Sequence, residues 1–197
     1  MIGRIGLLIL GVITFTRLFG QTSWKLRKDK DNIKVYTRDV ENSKLDEFRG
    51  EVTISTSIDR IIELFQAVEL MEKWVPDCKK ATLIKLEEEH QYHYVETHVP
   101  FPLSNRDTYV HYHYIRSDKD VRVVFEGLPE YESNKKGLVR IPYLKGYWLL
   151  QFLDVNQTSV TYQVHADPGG IIPNWLANSE AIDNPFETLK NLKAYFQ

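Results

Sequence analysis

Asp167-Pro168-Gly169-Gly170-Ile171-Ile172-Pro173-Asn174-Trp175 stands where a strand-rich body gives way to an amphipathic terminal helix. Proline fixes φ and lacks an N–H, while glycine opens the left-handed region of backbone space. Two of each at one junction mark a sharp corner between sheet and helix. The corner reads either as the hinge of a moving lid or as a rigid turn with Pro173 at the helix start.

Upstream of this corner the periodicity is mostly that of strands. Alternation predicts strands over 33–38 and 48–54. The period then changes: Ser57 can cap a helix carrying Ile58, Ile61, Ile62 and Phe65, and residues 71–74 make a further helical turn. Strands follow over 81–87, 91–99, 106–116, 120–127, 137–141, 146–154 and 158–165, separated by turn-forming residues. The short gaps between them favour antiparallel pairing. After the corner, Ile182, Phe186, Leu189 and Phe196 share one helical face with Leu192 beside it, and Asn184-Pro185 is expected to break or restart that helix. The order is that of an α+β fold, an antiparallel sheet with the terminal helix against its concave face.

Composition narrows the possibilities. The 197 residues suit one domain, and 43% hydrophobic with 12% aromatic residues supply a large core and exclude wholesale disorder. A net charge of −2 offers no basic footprint for nucleic acid. Residues 1–20 differ from the rest: Arg4 precedes an apolar run, Ile5 to Phe15, and Thr16-Arg17-Leu18-Phe19-Gly20 follows. This pattern predicts a signal peptide cut after Gly20 and leaves residues 21–197 as a single domain. The chain would then be exported, to the periplasm or the exterior if the cell is bacterial, with an uncleaved N-terminal anchor as the alternative. Cys78, the only cysteine, permits no intrachain disulfide and is expected to fill core space. Asn156-Gln157-Thr158 is a sequon relevant only in a glycosylating pathway, and Glu87-Glu88-Glu89 reads as a solvated hairpin end.

A second marked segment, Pro100-Phe101-Pro102-Leu103-Ser104-Asn105-Arg106-Asp107, lies between two strands. Together with 167–175 it resembles the START family of lipid-transfer domains, most closely the phosphatidylcholine-transfer branch. Trp74 and Gly137-Leu138-Val139-Arg140-Ile141 resemble that branch too, so the likeness covers residues 24–196. It implies a helix-grip fold: a curved antiparallel sheet around a long C-terminal helix, with a hydrophobic tunnel for one lipid gated by that helix. It implies no metal and no organic cofactor, and the chain is expected to act as a monomer that touches a membrane transiently. Pro168, Gly169, Gly170, Pro173 and Trp175 then belong to the hinge, and the Arg106-Asp107 pair either holds a turn or contacts ligand.

Strand alternation assigns side chains to the tunnel. His93, Val95 and Thr97 form the less charged face of their strand. Thr108, Val110 and Tyr112 do so in the next, leaving Asp107, Tyr109, His111 and His113 on a wetter face. Trp148, with Leu150 and Phe152, is placed inside, as are Phe186 and Leu189 on the terminal helix. The chain departs from the phosphatidylcholine branch at its head-binding positions. Val95, Thr108 and Leu144 replace an aromatic cage, and Met71 replaces a phosphate-holding arginine. His93 and Tyr112 match a buried acid–arginine pair of the cholesterol-carrying branch. They either hydrogen-bond a hydroxyl or carboxyl head or form a satisfied wall pair. The leading expectation is a non-enzymatic carrier or sensor of a lipid. One rival is a cyclase- or hydrolase-like enzyme using His93 and Tyr112, and another is an interaction module with a filled cavity.

Overall fold

Alternation of apolar and polar residues sets the first paired strands of the fold. A computed structural model describes residues 23–197; the expected signal segment, residues 1–20, lies outside the described residues. In β2 (Ile33–Arg38), Ile33, Val35 and Thr37 are buried while Lys34 faces out, and β3 (Glu47–Ile54) repeats the pattern. β1 (Lys25–Lys30) has no such alternation and was not predicted. It is recruited by a two-residue reversal at Asp31 and Asn32, both at positive φ, that folds it back on β2. Its lysines suit an edge, where charge discourages pairing with another chain.

The sheet continues with β4 (Cys78–Glu87), β5 (His90–Thr97), β6 (Arg106–Arg116), β7 (Asp120–Gly127), β8 (Val139–Arg140), β9 (Tyr143–Asp154) and β10 (Gln157–Asp167). The spatial order is β1-β2-β3-β10-β9-β7-β6-β5-β4, and every neighbour along it is antiparallel. The segment predicted as a strand over 137–141 is strand only at Val139 and Arg140. It runs parallel to β6, because a long connection rather than a hairpin delivers it.

Helix α1 (Ile58–Gln66) buries Ile61, Ile62, Leu64 and Phe65, and α2 (Met71–Trp74) buries Met71 and Trp74. The terminal helix α3 (Asn174–Tyr195) packs on β2 and β3. Contrary to the sequence reading, it runs unbroken through Pro185. Proline removes one backbone hydrogen bond. Here burial of Phe186, Leu189 and Leu192 and the Lys28–Asp183 ion pair hold the helix on both sides of the gap. The result is the α+β helix-grip arrangement, a curved antiparallel sheet with a C-terminal helix.

Two glycines govern how closely the layers approach. A Cβ on Gly50 would lie 2.6 Å from Leu189 Cδ1, so the bare backbone of β3 is where α3 settles. A Cβ on Gly146 would lie 2.4 Å from the Gln163 carbonyl oxygen and 2.7 Å from Phe125 Cζ. Gly50→Ala and Gly146→Ala are each expected to destabilise the protein by about 1–3 kcal/mol through overpacking. Urea unfolding measures this; an unchanged midpoint for Gly50→Ala would mean that Leu189 yields freely.

Candidate functional site

The inner face of the sheet carries a row of rings supplied by successive strands. The His93 ring lies 4.4 Å from Tyr112, Tyr112 lies 5.5 Å from Phe125, and Phe125 lies 6.3 Å from Tyr162. Tyr162 stacks on Trp148 at 3.7 Å and meets Phe48 edge-on at 5.1 Å. Phe65 and Trp74, from α1 and α2, close the row against Trp148. Register explains the pattern: Tyr162 stands opposite Trp148 on one side and Gly50 on the other.

Polar groups on this wall are few and poorly partnered. His93 is 2% exposed, and neither ring nitrogen has a hydrogen-bond partner. Burial lowers its pKa to about 4, so the imidazole is neutral near pH 7. Trp74 Nε1 is likewise buried without a partner. Burial pushes the Tyr112 and Tyr162 phenols far above their ordinary range. Nevertheless, both residues are only half-buried. Gln91 was missed by the sequence reading. It is buried on the same face, donating to the Gln66 carbonyl at 3.0 Å and accepting from the Tyr114 hydroxyl at 3.1 Å.

Of the other residues expected inside, Val95, Thr108, Val110 and Trp148 are buried beneath the sheet. Thr97 is half-buried at the end of β5, opposite Arg106 and Cys78. Phe186 and Leu189 are buried, but they seat α3 rather than meet His93. Lys28 Nζ lies 4.0 Å over the Phe186 ring, and Leu189 abuts Gly50. Phe152 is 48% exposed near the end of β9. Burial and the nearby Glu72 raise the half-buried Cys78 thiol to about 11, which leaves it unreactive.

The two sequence motifs meet at one end of this wall. Buried Arg106 donates from Nη1 to the Ser104 carbonyl at 2.5 Å, from Nη2 to the Gly169 carbonyl at 3.1 Å, and from Nε to the Pro168 carbonyl at 3.4 Å. Gly169 and Gly170 both lie at positive φ, and the Asp167 carboxylate accepts from the Gly169 N–H at 2.8 Å. A pocket of about 360 Å³ lies between this corner and residues 42–45.

The neighbouring Asp107 faces the opposite side of β6. There Arg140 grips it in a two-pronged pair, both bonds 3.0 Å, which holds the guanidinium above its ordinary pKa. Arg140 also donates to the Pro129 and Glu132 carbonyls, and Tyr109 donates to Glu132. This loop covers part of the face expected to be wet. Asp107 and Tyr109 are therefore buried there, with Tyr94, Tyr131 and Lys135 around them, while His111 and His113 are half-buried.

A family model described as START domain matches residues 17–197. An uncharacterised protein of Pseudomonas aeruginosa is 38% identical over 175 residues, 87% of this chain and 85% of that protein. Phosphatidylcholine transfer protein of Rattus norvegicus is 26% identical over 176 residues, covering 86% and 81%. A crystal structure of a STAR-related lipid transfer protein from Xanthomonas axonopodis superposes with a TM-score of 0.83 at 42% identity. The match spans 88% of this chain and 98% of that one.

Two outcomes are expected from this geometry. An unfolded histidine takes a proton near its ordinary pKa of 6.5, whereas buried His93 refuses it until about pH 4. Stability therefore falls as pH drops through that window, by about 3 kcal/mol in all. Urea unfolding at stepped pH should show a slope that flattens by that amount in His93→Gln; equal slopes would refute the assignment. Gly169→Ala puts a Cβ 2.9 Å from Pro142 Cδ at a φ of 65°. It should cost about 1–3 kcal/mol, read as a lowered Tm.

Proposed function

The chain belongs to the START-domain family, and on that premise we propose that it binds a single lipid in a hollow between the inner face of the sheet and α3, for transfer or sensing. The observation that carries this reading is the state of Tyr112 and Tyr162. Both sit in mid-strand, where burial shifts their hydroxyls strongly, and yet each retains accessible surface. In this reading that remaining surface lines the hollow. Apolar walls suit an acyl chain, which gains about 0.8 kcal/mol per methylene removed from water.

An enclosed hollow needs a door. The corner at Pro168, Gly169, Gly170 and Pro173, leading into the N-terminal end of α3, is the gate in this proposal. Its outer surface fits a membrane: Phe101 is 95% exposed, Ile171 92% and Trp175 74%, all on the two segments that Arg106 joins. The protein acts as a monomer that touches the bilayer transiently, exported by residues 1–20. Catalysis forms no part of the reading. A histidine with a pKa of about 4 is a weak base at neutral pH, and the His93 and Tyr112 rings pack together without a hydrogen bond.

Native mass spectrometry of protein purified from its own source should show one bound lipid per chain. Ligand-free protein that also takes up no lipid from vesicles would instead support a cavity filled by side chains. Steady conversion of a bound lipid into product would overturn the carrier reading. Phe101→Ala combined with Trp175→Ala should lower vesicle co-sedimentation severalfold with Tm unchanged.

A further inference from the structure

We infer, resting on the membrane contact proposed above, that the pocket between residues 42–45 and the glycine corner takes the head of a bilayer phospholipid that carries both a phosphate and a primary ammonium, as an ethanolamine phospholipid does. This site reads the membrane and is separate from the hollow that holds the cargo.

The argument begins with the charges. The pocket has a volume of about 360 Å³, and the two charged residues on its wall are of opposite sign, Lys44 and Asp167. Among the described residues, the Lys44 ammonium has no ion pair or hydrogen bond, and Asp167 spends one carboxylate oxygen on the Gly169 N–H at 2.8 Å. A lone phosphate would be opposed by the carboxylate and a lone ammonium by the lysine, whereas a ligand bearing both charges is attracted at each end.

The cationic end is narrowed further by what the wall lacks. None of the lining residues is aromatic. A quaternary ammonium has no N–H to donate and is held chiefly by rings, so a choline head gains little here. A primary ammonium brings three donors, and Asp167 and Asn42 offer oxygens to accept them.

The walls are fastened to one another. Asn178 on α3 accepts from the Asp46 N–H at 3.1 Å and donates to the Lys44 carbonyl at 3.4 Å, and His165 Nε2 lies 3.2 Å from Ser43 Oγ. A site already in place loses little ordering entropy when it binds. Its position suits a bilayer. Gly169, Gly170 and Ile172 line the pocket, and Ile171 between them and nearby Trp175 are exposed. With those side chains in the membrane surface, a lipid head can enter the pocket while its acyl chains stay in the bilayer.

Vesicle flotation at matched acyl chains tests this. Vesicles of dioleoylphosphatidylcholine are compared with the same lipid containing dioleoylphosphatidylethanolamine or dioleoylphosphatidylglycerol. The full chain should bind the ethanolamine vesicles about fivefold more tightly than the other two. Lys44→Gln, and Asp167→Asn, which keeps an oxygen for the Gly169 N–H, should each abolish that preference while binding to phosphatidylcholine persists. Looser packing under small heads acts on the exposed side chains whatever stands at 44 and 167, so a preference that survives either substitution overturns the charge pairing. Equal binding to all three compositions, or a preference for phosphatidylglycerol, overturns the head site and leaves the membrane contact standing. Calorimetric binding of free O-phosphoethanolamine without any vesicle preference makes the ligand a soluble zwitterion and overturns the bilayer source. Binding to none of the vesicles overturns both readings.

Discussion

A buried guanidinium with no carboxylate of its own must find its hydrogen bonds in the backbone, and Arg106 finds them in two segments far apart in the chain. Desolvation of the charge is offset only while the carbonyls of Ser104, Pro168 and Gly169 are all in place. That requirement constrains the corner. The carbonyls reach Arg106 because Gly169 and Gly170 take up positive φ, which side-chain-bearing residues resist. One residue along β6, Asp107 does the same on the opposite side, where Arg140 ties it to the carbonyls of the loop over the outer face. Consecutive residues of one strand thus fasten the inner lip and the outer flap of the sheet.

Away from that lip the wall is built from rings. Each strand from β5 to β10 that faces inward contributes an aromatic or branched residue, and the rings run in sequence from His93 to Trp148. The ionisable groups on this stretch are neutral near pH 7: burial lowers the histidine and raises the tyrosines further above their ordinary range. The ring wall from His93 to Trp148 is therefore polar in a few atoms and carries no charged side chain, a medium in which hydrogen bonds are strong and ions are costly.

Much of this was legible in the chain. The alternation in Ile33–Arg38 and the three-and-four spacing of Ile58, Ile61, Ile62 and Phe65 report local geometry that packing reinforces. The pairing of the 100–107 and 167–175 motifs pointed to the fold. What stayed hidden was decided by partners distant in sequence. β1 is polar throughout and is a strand because β2 offers it an edge. Tyr109 and Asp107 follow the outward phase of β6, and alternation cannot reveal that the loop after β7 covers them. Val139 and Arg140 run parallel to β6 because of where that loop ends. Gln91 carried no signal, since its partners, the Gln66 carbonyl and the Tyr114 hydroxyl, belong to other elements.

Pro185 divides α3 mechanically. Beyond it, Phe186, Leu189 and Leu192 anchor the helix to the sheet, and Asn191 ties it to the Trp74 carbonyl. Before it, the helix leads back to exposed Trp175 and the glycine corner. Because proline supplies no N–H, the Ala181 carbonyl lacks its helical partner, and Pro185 is the point at which bending α3 would break the fewest backbone hydrogen bonds. In the gating proposed above, the anchored segment is the fulcrum and the turns between Asn174 and Asn184 are the lever arm, whose far end is the corner clasped by Arg106.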